Sequence, residues 1–459
     1  MSVNVFTFAV LAAGLFANEA TCITFALLFT LFGAAAAIAL PALGGAAITP
    51  ALLFLPFLTL HALSARMRTR EPFTLSRPGL LLAIVMIWGL ISALLMPRLF
   101  NGQTQVIVLD RLTSRSPRLY PLHPLPTNIT QAAYALGQLV AFLSLRTLLR
   151  GPGRLVTFRN AVLLVAALDL SAGLLNLAEN LLHLPSLLDY VRNAEGYGLA
   201  IEYSLGGLPR IHGTFPEASI FAYYTLPLFA FTLSLWTSRA ELNYSPILCC
   251  ALLAMLLLST SGTAYVGLIL YGSVYMFTEL PRRRVPQVLA FAVAGCVLVV
   301  LGMYALELDV TKPIDNFVQA TLLNKADSDS GQERAAWNAQ AFRNFLETDW
   351  LGAGLGSCRA SSFPLILLSN LGLFGTAMFG LFALNVCRAP YLERAQTSDA
   401  ERAMRKAASD ATVAALIGSL VAVGMFDLGV SFYLFAAAAS STSSEPQQDA
   451  YPQLEPHHA

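Results

Sequence analysis

Two stretches of this 459-residue chain bring together side chains capable of chemistry. The first, Arg210 to Tyr224, reads RIHGTFPEASIFAYY, a polar loop turning into an apolar run. Gly213 permits a tight turn there, and Pro216 suits the first turn of a helix. Glu217 would stand where that helix begins. A cation and an acid thus meet at the edge of an apolar segment, where they could bind an anion and move a proton. The bland alternative is that Arg210 reaches lipid headgroups while Glu217 favours the helix N-terminus.

The second stretch lies later. Ser330-Gly331-Gln332-Glu333 is a capping-box pattern that predicts a helix start. The helix should run to about Leu346, with Arg334, Trp337, Ala341 and Phe345 on one stripe, and it could lie on a membrane surface with Arg334 turned inward. Asp349 to Arg359 follows as DWLGAGLGSCR. Its GxGxG resembles a dinucleotide fingerprint, but that motif needs a βαβ unit, which this context lacks. Two readings remain for Gly354 and Gly356: a close backbone turn, or a nest of amides beside an anionic group. Arg334, Arg343 and Arg359 share the loop and favour the second modestly.

The elements that must position these groups follow from composition. The chain is 56% hydrophobic and only 12% charged, whereas soluble domains carry about 25% charged residues. Runs such as Thr21 to Leu40 and Arg77 to Met96 are each long enough to span hydrocarbon as a helix and are apolar on every face, unlike barrel strands. An all-α, polytopic integral membrane protein is expected, with about twelve transmembrane helices. Short segments at Met1 to Leu40 and Ala411 to Ala439 could pair as hairpins. The N-terminus lacks the basic region of a cleavable signal peptide. Arginine clusters at 66–77, 146–159, 282–284 and 388–406 mark the cytoplasmic side. Loops 97–130, 181–216 and 307–363 then face outward from one membrane domain, 1–439, and a polar tail, 440–459, is expected to be disordered.

Other chemistries are weakly supported. The net charge of +1 names no partner. Five of the six cysteines lie in or beside apolar runs, no CxxC pair occurs, and a disulfide framework is not expected. No metal cluster appears in the outward loops, and His457 with His458 in the tail reads as incidental. The sequon at Asn128 carries no weight. Asp169, Glu179 and Asp427 are the acids nearest to apolar spans, and a proton path through them is a minor reading. No repeat or paired broken helix suggests an inverted-repeat transporter.

Four features together resemble the O-antigen polymerase and ligase superfamily of bacterial inner-membrane glycosyltransferases. They are Arg210-x-x-Gly213-x-Phe215-x-Glu217; Leu258-Ser259-Thr260-Ser261-Gly262 at a tight turn; Ser330-x-x-x-Arg334-x-x-Trp337; and Gly352-x-Gly354-x-Gly356 leading to Asn370-Leu371-Gly372-Leu373-Phe374-Gly375. They cover roughly the second half of the chain. Many members carry an arginine where this chain has Gly262. Ligases of the group usually have a histidine in the late loop, and 307–363 contains none, so the resemblance points to a Wzy-type exopolysaccharide repeat-unit polymerase with a GT-C-like architecture.

The resemblance implies a substrate, undecaprenyl-pyrophosphate-linked oligosaccharide, and an active face in the periplasm. It implies that Arg210 and Arg334 bind the pyrophosphate, where a bidentate guanidinium suits a leaving group whose charge grows. Glu217 is the first choice as base and His212 the second; Glu217 could equally hold Arg210 in a buried pair. Trp337, Arg343, Arg359, Gly354 and Gly356 are candidates for contacting glycan. No cofactor, metal or nucleic acid is expected. The implied partners are the polysaccharide export machinery, a chain-length regulator and a flippase. Ligase-type transfer to a lipid or protein acceptor is the alternative, and a transporter of polysaccharide or lipid-linked sugar is the rival from another class.

Overall fold

The computed structural model describes residues 2–40, 46–70, 74–109, 117–194, 204–205, 208–238, 245–278, 329–392 and 398–442, with isolated helical positions at 286, 290, 293 and 297. Thirteen helices carry the fold among these residues. In chain order they are α1 (Val5–Phe16), α2 (Glu19–Leu28), α3 (Pro50–Thr69), α4 (Arg77–Leu99), α5 (Pro126–Leu148), α6 (Arg154–Leu181), α7 (Ala218–Thr237), α8 (Ser245–Leu258), α9 (Gly262–Thr278), α10 (Asp329–Glu347), α11 (Phe363–Leu392), α12 (Asp399–Ala422) and α13 (Gly429–Ala439). Five of them, α3, α4, α6, α7 and α11, are long and apolar enough to cross a membrane. The chain is an all-α integral membrane protein. Arg282 to Arg284, most of the loop 307–363 before α10, and most of the polar tail fall outside the described residues.

Local chemistry sets the helix ends. Thr49 caps α3, whose first residue is Pro50, and Ser76 caps α4 ahead of Pro78. Ser398 caps α12, with Asp399 and Glu401 in the first turn facing the positive pole of the helix. Small antiparallel pairings occupy connections. β1 (Ser2–Val3), β2 (Ile38–Leu40) and β3 (Ala46–Ile48) form a three-stranded sheet in that order. β4 (Gln105–Leu109) and β5 (Pro117–Pro121) form a hairpin with Val106 opposite Tyr120, and β6 (Ser204–Leu205) pairs β7 (Leu208–Pro209). Val106 of this hairpin is buried in a small cluster with Met96, Phe100, Leu122, Ala353 and Cys358.

The arginine-rich turns gather at one end of the bundle. Arg68, in the last turn of α3, and Arg154, at the start of α6, both pair with Glu19 at the start of α2, the latter at 2.6 Å. Arg146, near the end of α5, donates to the carbonyl of Ser440 just past α13. At the same end of α12, Lys406 lies over the Tyr275 ring and pairs with Asp410. The loop 181–194 and the α4–α5 hairpin therefore lie at the opposite end, beside the start of α7.

At the centre, α7 is almost wholly enclosed, packing against α8, α9 and above all α12. It runs antiparallel to α12. Tyr223 packs on Gly418 near the outward end, where a Cβ would come within 3.0 Å of the ring, while Thr237 at the other end bonds Tyr275, which Lys406 overlies.

Candidate functional site at the α7–α12 cleft

The helix read from Ser330 is present as α10, one residue longer at each end than the pattern indicates. Its stripe faces the protein: Ala341 and Phe345 are buried, and Arg334 and Trp337 are half-buried. The Arg334 guanidinium donates through Nη1 to the carbonyl of Val421 at 3.0 Å, in the last turn of α12. A cation there meets the negative pole of the helix and satisfies one of its orphan carbonyls. Arg343 is exposed and does not join this group.

Arg359 arrives at the same place by a different route. The segment from Trp350 to Gly354 slots into a break in α11 at Gly372, whose φ of 66° and ψ of −167° are non-helical. Leu373 N donates to Trp350 O, Ala353 N to Ser369 O, and Gly354 N to Asn370 O, while Trp88 Nε1 donates to Leu371 O. The Asn370 carboxamide oxygen accepts from Gly356 N and Cys358 N, and its Nδ2 donates to Cys358 O. Thr127 and Asn128, at the start of α5, donate to the carbonyls of Gly356 and Leu355. Of the two arrangements open to the glycines, this is the close turn. Gly354 (φ +98°) lies against Pro97 and Gly356 (φ +84°) against Thr127, both in backbone conformations that favour glycine, and their amides are bonded to the protein.

The turn delivers Cys358 and Arg359. Burial pushes the Cys358 thiol up to about 12, against the opposing effect of hydrogen bonds from Asn344 and Ser369. The Arg359 guanidinium lies 5.0 Å from the Trp337 ring centroid, and its Nη2 is 3.1 Å from where a Cβ on Gly424 would be. Arg334, Trp337 and Arg359 are thus brought together on the segment 421–424, where α12 ends.

The other wall is the start of α7. Gly213 takes the left-handed conformation (φ +55°) expected of a tight turn, with Phe221 close behind it. Asn176 in α6 accepts from the backbone amides of His212 and Gly213, at 2.8 and 3.3 Å, and Asn180 donates to the carbonyl of Arg210. His212 is 2% exposed, on the inner side of the loop with Ile211 and Thr214. Glu217 is the N-cap residue of α7 and accepts from Ser219 Oγ at 3.0 Å. Unlike His212, it reaches open space.

The exposure pattern of α7 defines the cleft. In the first turns of this enclosed helix, only Ile220 and Tyr223 are not buried, and with Glu217 they make one stripe at i, i+3 and i+6. That stripe faces the end of α12, because the Tyr223 hydroxyl donates to Leu428 O at 2.9 Å and its ring packs on Gly418. Antiparallel helices with about 1.5 Å rise per residue then place Ile220 level with Val421. Glu217 stands level with the turn that follows α12, facing the segment that seats Arg334 and Arg359. The turn Ser259-Thr260-Ser261 joins α8 to α9 nearby, one turn beyond Met255, which packs against Gly173 beside Phe221. Ser261 Oγ and Thr263 Oγ1 there are buried without a hydrogen-bond partner.

Several of these contributors carried no signal in the sequence. Tyr223 sits in an aromatic run typical of any span, Gly424 has no motif, and Asn176 and Asn180 read as isolated polar residues. Of the acids singled out as a minor proton path, Glu179 has both oxygens bonded locally, whereas Asp169 keeps one buried oxygen, Oδ1, without a hydrogen-bond partner. Asp169 accepts from Thr225 Oγ1 on α7, and Glu179 accepts from Ser186 Oγ and Leu187 N, fastening the next loop. Asn128 of the sequon is buried at the start of α5. The described residues hold no group of three or more His, Cys, Asp or Glu side chains.

Fold and cleft together define a polytopic helical membrane protein with an arginine-rich site at the end opposite its basic turns. Residues 247–380, from α8 to the middle of α11, match the family model described as O-antigen ligase. The match agrees with the resemblance of its motifs to the O-antigen polymerase and ligase superfamily, whose members transfer glycans. No curated protein matches the chain significantly.

Proposed function

We propose that this chain polymerises undecaprenyl-pyrophosphate-linked oligosaccharide repeat units into exopolysaccharide or O-antigen on the periplasmic face of the bacterial inner membrane. The observation that carries the reading is the cleft, with Glu217 on the α7 wall facing Arg334 and Arg359 on the end of α12. A sugar hydroxyl of one lipid-linked unit attacks the anomeric carbon of the other. The new glycosidic bond forms as the bond to the diphosphate oxygen breaks, and the electron pair leaves with the lipid diphosphate. Glu217 takes the hydroxyl proton. Arg334 has donors beyond the one given to Val421, and with Arg359 it meets the charge that grows on the leaving group. Arg210, in the loop ahead of α7, whose backbone carbonyl accepts from Asn180, would supply a further guanidinium from that wall. Trp337 offers Arg359 a face to stack on and the glycan an apolar one.

Ligase-type transfer to another acceptor is the second reading, favoured by the description of the matching family; the absence of a histidine from 307–363 favours polymerase. The test is deletion in the native host followed by measurement of surface and secreted glycan length, with Arg334→Ala and Glu217→Gln as complementing variants. Loss of long chains while single lipid-linked repeats persist supports polymerase. Full-length glycan left on its lipid carrier would support ligase, and unchanged polysaccharide would overturn both. Polymer made normally by Glu217→Gln at normal protein level would remove Glu217 as the base.

A further inference from the structure

Between Ala422 and Gly429 the backbone leaves the helix and α13 resumes it, deep in the bundle. Asp427 bonds Gln138, which lies twelve residues into α5 and so about 18 Å from the outward end of that helix. Non-helical backbone at such depth persists where protein or a polar cavity satisfies it. Here one Asp427 oxygen, Oδ1, accepts from Gln138 Nε2 at 2.6 Å and from Gly429 N at 2.7 Å. None of the hydrogen bonds of Asp427 involves a Lys, Arg or His. Asp427 is half-buried rather than fully enclosed.

Three other oxygens around this segment are also unsatisfied. Gln138 Oε1, Gln131 Oε1 and the Tyr433 hydroxyl have no hydrogen-bond partner, on residues 1%, 5% and 0% exposed. Gln138 Oε1 belongs to the amide already bonded to Asp427, Gln131 Nε2 lies 3.7 Å from Met425 Sδ, and Tyr433 is within electrostatic reach of Asp427. The two amide oxygens and the carboxylate can only accept. Water would satisfy acceptors but would not neutralise the charge, and the adjoining C-terminus of α12 adds the negative pole of a helix. Oxygen-only ligation with a single carboxylate suits a hard monovalent cation; a divalent ion held by protein draws on more carboxylates.

We propose that the α12–α13 break binds a monovalent cation of the sodium class through Asp427, Gln138, Gln131 and Tyr433. This does not depend on the polymerase reading. It gives the segment 421–428 a second anchor, beneath the carbonyl that holds Arg334 and the glycine that faces Arg359.

The experiment uses the purified full-length protein in detergent, with sodium chloride exchanged for N-methyl-D-glucamine chloride at constant ionic strength and melting followed by tryptophan fluorescence. The melting temperature should rise with the logarithm of sodium concentration above the dissociation constant, by about 2 °C at ten times that constant. The rise should vanish in Asp427→Asn and need more sodium in Gln138→Leu. An equal response to potassium supports a less selective site of the same kind. If Asp427→Asn does not fold, the wild-type titration and the Gln138→Leu shift decide. A wild-type melting temperature indifferent to sodium and potassium overturns the proposal, and so does a sodium response unchanged in both variants. Asp427 would then be a neutral, hydrated carboxyl.

Discussion

Replacing Gly356 by alanine separates a packed turn from an anion-binding nest. A Cβ on Gly356 would stand 2.5 Å from the carbonyl oxygen of Thr127, where ordinary contact begins at 3.4 Å, and the obstacle is backbone rather than the tip of a flexible side chain. The residue's φ of +84° adds the cost of a left-handed conformation, about 1–2 kcal/mol for an L side chain. Forcing a methyl into a filled space adds about 1–3 kcal/mol. A combined loss of about 2–5 kcal/mol should lower the melting temperature in detergent by about 3–10 °C. Gly380→Ala is the control: it lies in α11, a Cβ there meets nothing within 4 Å, and alanine is the better helix former by about 1 kcal/mol. A Gly356→Ala protein that melts with the wild type while its apparent KM for lipid-linked substrate rises would refute this reasoning, since the amides would then be serving substrate.

Asn176→Ala leaves the amides of His212 and Gly213 without their acceptor, at about 1–3 kcal/mol each; the melting temperature should fall, with recovery in Asn176→Asp, which keeps an accepting oxygen. Arg359→Lys keeps the charge but loses the planar group over Trp337 and should cut polymerisation about tenfold at unchanged protein level, read as glycan length in complemented cells. Cys358, its thiol raised to about 12 by burial, stays protonated and enclosed at pH 8, so a maleimide should label it only on unfolding.

The sequence was most informative where a local rule acts alone. The helix at α10 was legible from its start pattern and its apolar stripe, and the turn at Gly213 from glycine and proline placed before an acidic N-terminus. The short helices α1 and α2 were also legible, because runs of 10 to 12 apolar residues cannot span hydrocarbon singly, whereas near the other end α12 has 24 residues and only α13 is short. The glycine run was correctly located, but its partner was not: Asn370 and the break at Gly372 meet it through hydrogen bonds between segments far apart in the chain. The α7 wall of the cleft shows why the rest was hidden. Glu217 stands out by charge, whereas Tyr223 and Gly424 matter through their position opposite another helix, and nothing in their residue type records that. Arg343 shows the converse error, since a charge close in sequence to Arg334 points to the other side of the same helix.

The bond from Arg334 to Val421 spans 87 positions, and Arg359 rests against Gly424, so both arginines are seated by a helix that follows them in the chain. A chain emerging during synthesis has inserted α7 and carries every arginine of the cleft well before the shelf that seats them exists. The site is therefore complete only once α12 is in place. A protein truncated ahead of α12 would insert its earlier helices and display the same charges on the same side, yet hold none of them in register with Glu217. The arginines of the cleft therefore gain their seats only once α12 has packed against α7.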